Sequence, residues 1–172
     1  EMNYKIIISY AIIWLLSVCC VWSQTNPYRY GSPHYWMAQS TLDIYAGKFD
    51  IAYEHLQKAQ KGYRELGDVG FQMQAIEAMG LLKAGLGEWV KADEHYKDAL
   101  QIAKYANEDF VQSKVMVDLL SLYRTTGDIV AYNHYLKALD SLYHVSNSAK
   151  LKTVYHLYWA NEYMARKEFA MV

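Results

Sequence analysis

The stretch GEWVKADEHYKDAL, Gly87 to Leu100, decides how the rest of the chain is read. Forty residues earlier stands GKFDIAYEHLQKAQ, Gly47 to Gln60, and forty residues later GDIVAYNHYLKAL, Gly127 to Leu139. Ala52 and Ala92 keep the same 40-residue spacing, and Ala131 follows 39 after Ala92 because the turn beyond Gly127 is one residue shorter. Lys167 falls another 40 after Gly127, in ARKEFA. Self-similarity with a period of about 20–50 residues marks an array of stacked repeats.

Within each copy the apolar residues fall three and four apart, which places them on one face of an α-helix. Phe49, Ala52, Tyr53, Leu56, Ala59, Tyr63 and Leu66 follow this spacing in the first copy. Trp89, Ala92, Tyr96, Ala99, Leu100 and Ala103 do so in the second, and Ile129, Tyr132, Tyr135, Leu136, Leu139 and Leu142 in the third. Another helix precedes each of these; that of the second unit carries Met73, Ile76, Met79, Gly80 and Leu82. Asp68, Asn107 and Asp128 stand where N-caps are wanted, and glycines sit in the turns. The only prolines, Pro27 and Pro33, precede the repeats, and no segment alternates with period two. The pattern predicts helices over 34–46, 49–66, 69–86, 89–106, 108–126, 129–146 and 149–166. The chain therefore reads as an all-α solenoid of helix-turn-helix units covering 34–68, 69–107, 108–147 and an incomplete 148–172. Phe169 is expected to open a second helix that the sequence leaves unfinished, with an exposed apolar end and a longer natural chain as consequences.

Two helices joined by a short turn pack closely only where side chains at their crossing are small. Gly80 and Ala160 on first helices and Ala52, Ala92 and Ala131 on second helices meet that need, while Trp36, Phe49, Trp89 and Tyr123 fill the space around them. One helix pair cannot bury its own apolar face, so neighbouring units must stack.

Residues 1–23 are of another kind. After Lys5 an apolar run extends from Ile6 to Trp22, broken only by Ser9 and Ser17. Val21 and Ser23 suit signal-peptidase cleavage before Gln24. An uncleaved membrane anchor also fits, the run being near the lower length that spans a bilayer. So does a lipoprotein signal, because LSVC, Leu16 to Cys19, resembles a lipobox. Cys19 and Cys20 are the only cysteines, so a chain cleaved after Ser23 has no thiol, disulfide or cysteine metal ligand. Residues 24–33, QTNPYRYGSP, are rich in turn signals and read as a linker.

The repeats resemble the tetratricopeptide repeat family, in the longer, 40-residue form. The resemblance covers residues 34–172. It rests on Met79-Gly80, Gly87, Trp89, Ala92, Tyr96 and Ala99-Leu100 in the second unit. In the third it rests on Leu119, Tyr123, Gly127, Ala131, Tyr135 and Ala138-Leu139, and in the first on Trp36, Ser40, Gly47, Phe49, Ala52, Leu56 and Ala59. The fourth starts with Trp159-Ala160 and Tyr163. Asp43 and Lys83 stand where the family has Tyr. The resemblance implies a right-handed superhelix whose first helices line a concave, peptide-binding surface. Carried onto this chain, that surface comprises His34, Met37, Thr41 and Tyr45 from the first unit and Gln74, Glu77 and Leu81 from the second. The third unit adds Lys114, Val117, Ser121 and Arg124, and the fourth Leu157, Asn161 and Met164. The carboxylate clamp of chaperone-binding members is not reproduced by Lys114 and Asn161 alone.

Charge and motif content narrow the function. With 17 Lys and Arg scattered among 18 Asp and Glu, the net charge is −1, so no basic stripe is available for nucleic acid. Nucleophile-elbow, zinc-protease, P-loop and dinucleotide signatures are missing, and GLG at 85–87 reads as a helix-ending turn. His55, His95 and His134 recur at one place in successive units. Equivalent positions on stacked helices stand on the order of 10 Å apart, too far to share one ion. The expectation is a non-enzymatic interaction scaffold without cofactor or metal, periplasmic or at the cell surface, that binds a protein or peptide. It would meet a membrane only through residues 1–23. The alternative is the extracytoplasmic sensor segment of a histidine kinase or DNA-binding regulator.

Overall fold

A computed structural model describes residues 27–169, so the expected signal or anchor over 1–23 lies outside the described residues. Seven helices make up the described residues, with no strand among them: α1 Pro33–Tyr45, α2 Phe49–Leu66, α3 Val69–Gly85, α4 Trp89–Tyr105, α5 Asp109–Thr126, α6 Ile129–Val145 and α7 Ala149–Phe169. None of them is long and apolar enough to cross a membrane.

One backbone device ends five of these helices. Gly47, Gly67, Gly87, Asn107 and Gly127 all have positive φ, at a spacing of 20 residues, half the sequence period. The following residue then donates its N–H back to a carbonyl five positions earlier. Lys48 bonds Asp43, Asp68 bonds Tyr63, Glu88 bonds Lys83, Glu108 bonds Ala103 and Asp128 bonds Tyr123, all at 2.8–3.0 Å. This is the Schellman arrangement, which satisfies carbonyls left open at a helix end. Asp68 and Asp128 cap the next helix, their Oδ1 atoms accepting from the N–H groups of Phe71 (3.1 Å) and Ala131 (2.9 Å). Asn107 does not serve as the expected N-cap. It takes the glycine's place in the left-handed turn, at φ 55°, and Glu108 occupies the cap position. Asn tolerates this conformation better than other side chains.

The series stops at residue 147. Ser146 is extended, its hydroxyl reaches Asp109 Oδ2 at 2.5 Å, and Ser148 Oγ accepts from the Leu151 N–H at 3.3 Å to start α7. Pro33, assigned above to the linker, is the first residue of α1, where its missing N–H costs nothing; Ser32 caps it.

The described residues divide into two compact units, one ending at Gly62 and the other beginning at Tyr63. In the first, α1 and the adjoining part of α2 form an antiparallel pair. Pro33 lies against Gly62 at one end, and Asp43 meets His55 at 2.8 Å nearer the turn. Trp36 stacks on the His55 ring, with Lys58 Nζ 4.6 Å from the Trp36 centroid.

In the second unit each helix packs on the next from α3 to α7, and α5 also touches α3 and α7. This is the neighbour pattern of a helical repeat, with α3, α5 and α7 as first helices and α4 and α6 as second helices. Its core holds Met73, Ile76, Met79, Ala92, Tyr96, Ala99, Leu100, Ala103, Val115, Met116, Leu119, Leu120, Leu139 and Leu151. Ala92, Ala99 and Ala103 are fully buried, as a close helix crossing requires. Ala131 is only half-buried and Ala160 is exposed on α7, unlike the expectation for both. α7 also runs through Phe169, so Phe169 does not open a second helix. Lys167 occupies the turn position held by glycine in earlier units, and Ala165, Arg166, Lys167 and Glu168 all favour helix.

Candidate binding cleft

Residues of α5 and α7 line a cleft of about 280 Å³. From α5 come Val117, Ser121 and Arg124, which recur at i, i+4 and i+7 and so share a face. From α7 come Val154, Leu157, Tyr158, Asn161 and Glu162. Five of these eight are among the residues that the family resemblance led one to expect on the concave surface: Val117, Ser121, Arg124, Leu157 and Asn161.

The cleft's apolar side is Val117, Val154, Leu157 and the Tyr158 ring. Its polar side is an interhelix ion pair, Arg124 Nη1 with Glu162 Oε1. Glu162 is almost fully buried, whereas the Arg124 side chain is 54% exposed. The Tyr158 hydroxyl lies 2.6 Å from that of Tyr132 on α6. Burial, and then this hydrogen bond, push the Tyr158 phenol far above its ordinary range, so it remains a neutral hydrogen-bonding group. The arrangement offers apolar contact beside a serine hydroxyl, an amide and a guanidinium, and no histidine or cysteine is among its lining residues.

The other residues expected on the concave surface lie apart from this cleft. Lys114 leaves the cleft and pairs across to α3, its Nζ 2.9 and 3.1 Å from the two Glu77 oxygens. Glu77 is 8% exposed and serves packing rather than an open surface. Gln74 and Leu81 are exposed on α3, and Met164 is exposed on α7. In the first unit His34 and Met37 are half-buried, with His34 edge-on to Tyr28. Thr41 and Tyr45 are exposed, and Thr41 returns its hydroxyl to the Met37 carbonyl.

Sequence reasoning missed Val154, Tyr158 and Glu162. Their signal was available: 154, 158 and 162 form an i, i+4, i+8 row beside Leu157 and Asn161, and a helix face is wider than one such row. It also missed Asp118, whose Oδ2 is buried without a hydrogen-bond partner beside the Glu77 carboxylate.

The recurring histidines have three different surroundings. His55 pairs with Asp43, His95 is half-buried, and His134 is exposed with its ring edge-on to Tyr135. Among the described residues no group of three or more His, Cys, Asp or Glu side chains is placed to hold a metal ion. No family model matches the chain, and no curated protein matches it.

Proposed function

We propose that this chain is an exported, non-enzymatic adaptor of tetratricopeptide type, a right-handed solenoid that holds a polypeptide segment of a partner between its first helices. The observation that carries this reading is the α5–α7 cleft. Residues carried onto this chain by the family resemblance, on two successive first helices, line one concavity that combines apolar surface with hydrogen-bonding groups. Pockets with mostly apolar walls and a few convergent polar groups are the usual form of a recognition site. A peptide segment suits this chemistry: a side chain packs on Val117, Val154 and Leu157, and its backbone bonds to Asn161, Ser121 or Arg124. Export is proposed on the apolar run from Ile6 to Trp22 followed by Ser23.

The binding reading is tested by selecting peptides from a displayed random library on the purified protein. Leu157→Glu is expected to weaken the selected peptides at least tenfold, while Ser141→Glu on the exposed part of α6 leaves them unchanged. Peptides that bind the Leu157→Glu protein as tightly as the wild type would overturn it. Export is tested by mass spectrometry of protein from its native cell, with a terminus at Gln24 expected. An intact Met2 terminus on soluble cytoplasmic protein rules export out.

A further inference from the structure

Two carboxylates and one ammonium meet where α3 faces α5. Glu77 of α3 is buried, and both of its oxygens are held by Lys114 of α5. Asp118 lies one helical turn beyond Lys114 and so on the same side of α5. Its Oδ2 is shielded from water and accepts no hydrogen bond. A buried carboxylate oxygen without a donor is costly, and Lys114 is already engaged by Glu77. A proton on Asp118 removes the difficulty, because the carboxyl becomes a donor with the Glu77 carboxylate as its acceptor.

We infer that Glu77 and Asp118 form a proton-controlled latch between α3 and α5, closed when the pair holds one proton and loosened when both carboxylates are charged. The groups that face Asp118 are Glu77 from α3, the Tyr96 hydroxyl from α4, and Lys114 from its own helix. Tyr96 supplies no compensating charge. Burial first, then the Asp118 and Glu77 charges, hold its phenol far above the ordinary range, so it stays neutral. The charged groups that shift Asp118, Glu77 and Lys114, lie on α3 and α5, not on α6 or α7, which also pack on α5. Burial, followed by the Glu77 charge, raises the Asp118 carboxyl to about 7, and Lys114 offsets only part of this. Because the folded-state value is raised, the native state binds the proton more tightly than the unfolded chain. The stabilisation is therefore complete below the ordinary value of 3.8 and is lost as pH rises to about 7. The latch joins the first helices of two neighbouring units and sits beside Val117, one of the cleft residues, but it does not depend on what the cleft binds.

The test compares wild type, Asp118→Asn and Glu77→Gln from pH 5.5 to 8.5. Amide protection of α3 and α5, corrected for intrinsic exchange and referred to α6, is expected to fall at least about tenfold over that range in the wild type. It is expected to stay level in Asp118→Asn, which keeps a donor without the charge. A carbon-detected titration of the wild-type Asp118 carboxyl supplies a readout that needs no variant to fold, with a midpoint near neutrality expected. A midpoint near 4, or the same pH profile in wild type and both variants, would overturn the latch.

Discussion

Gly80 of α3 lies so close to the Tyr96 ring on α4 that an added Cβ would stand 2.6 Å from Cε1 and 2.7 Å from Cδ1. Tyr96 is only 2% exposed, so its ring is held within the core. Gly80→Ala is therefore expected to destabilise by about 1–3 kcal/mol through overpacking, despite alanine's better helix propensity. Gly85, five residues on, has nothing within 4 Å of an added Cβ and an ordinary helical φ. Gly85→Ala should stabilise by about 0.4–1 kcal/mol. Chemical denaturation of both variants checks the pair; equal effects at the two glycines would show that α3 and α4 do not cross closely at Gly80.

The helices were legible because each turn repeats the same physical instruction, a residue able to turn left-handed and then a polar residue where the next helix begins. Six of the seven helices begin and end within one residue of the ranges expected from that pattern. The pattern loses force where a turn is built from other parts. Asn107 read as a cap because Asn suits both a cap and a left-handed turn; only the 20-residue spacing from Gly67 and Gly87 separates the two roles. At Lys167 the spacing is kept but the residue favours helix, so local propensity prevails and α7 continues. The site was legible one row of side chains at a time, which recovered Leu157 and Asn161 but not Tyr158 and Glu162. Asp118 was not legible at all, since its burial follows from how α3 approaches α5.

Asn107 supplies a direct check on the turn series. Its φ of 55° strains any side chain that lacks local hydrogen bonding. Asn107→Ala is expected to cost about 1–2 kcal/mol, whereas Asn107→Gly should be neutral or slightly stabilising. If Asn107 were the N-cap, Ala and Gly would differ in the same direction but Asn107→Asp would be silent. In the left-handed role Asp is tolerated less well than Gly, and thermal unfolding of the three variants ranks them.

The Arg124–Glu162 pair links α5 to α7 within the lining of the cleft, and its two partners differ in exposure, 54% against 9%. Removing them should therefore have unequal effects. Arg124→Ala leaves a buried carboxylate without its donor and is expected to cost about 1–3 kcal/mol. Glu162→Gln keeps a hydrogen-bond acceptor and frees an already solvated guanidinium, so its cost should be the smaller. Urea unfolding of the two variants decides the order. A larger loss for Glu162→Gln would mean that the carboxylate has partners beyond Arg124.

His95 offers the pH-dependent prediction whose sign is opposite to that of Asp118. It occupies the same place in its unit as His55, and Lys83 stands in the second unit where Asp43 stands in the first. Burial lowers the His95 pKa below its ordinary value of 6.5, Asp98 and Glu94 oppose the shift, and the Lys83 ammonium adds to it. A histidine depressed in this way favours the folded state as the neutral ring. Its contribution is present above about 6.5 and is lost as pH falls through the lower folded-state value. Nuclear magnetic resonance should thus find the His95 ring titrating below 6.5, with Lys83→Gln moving the midpoint up and Asp98→Asn moving it down. The Lys83 variant also frees Glu88, which Lys83 Nζ meets at 3.0 Å, yet Glu88 keeps Lys91 at 2.5 Å, so the turn should survive the change. A midpoint that ignores Lys83 and Asp98 would leave burial as the sole cause, and one above 6.5 would contradict the placement of His95 in the fold.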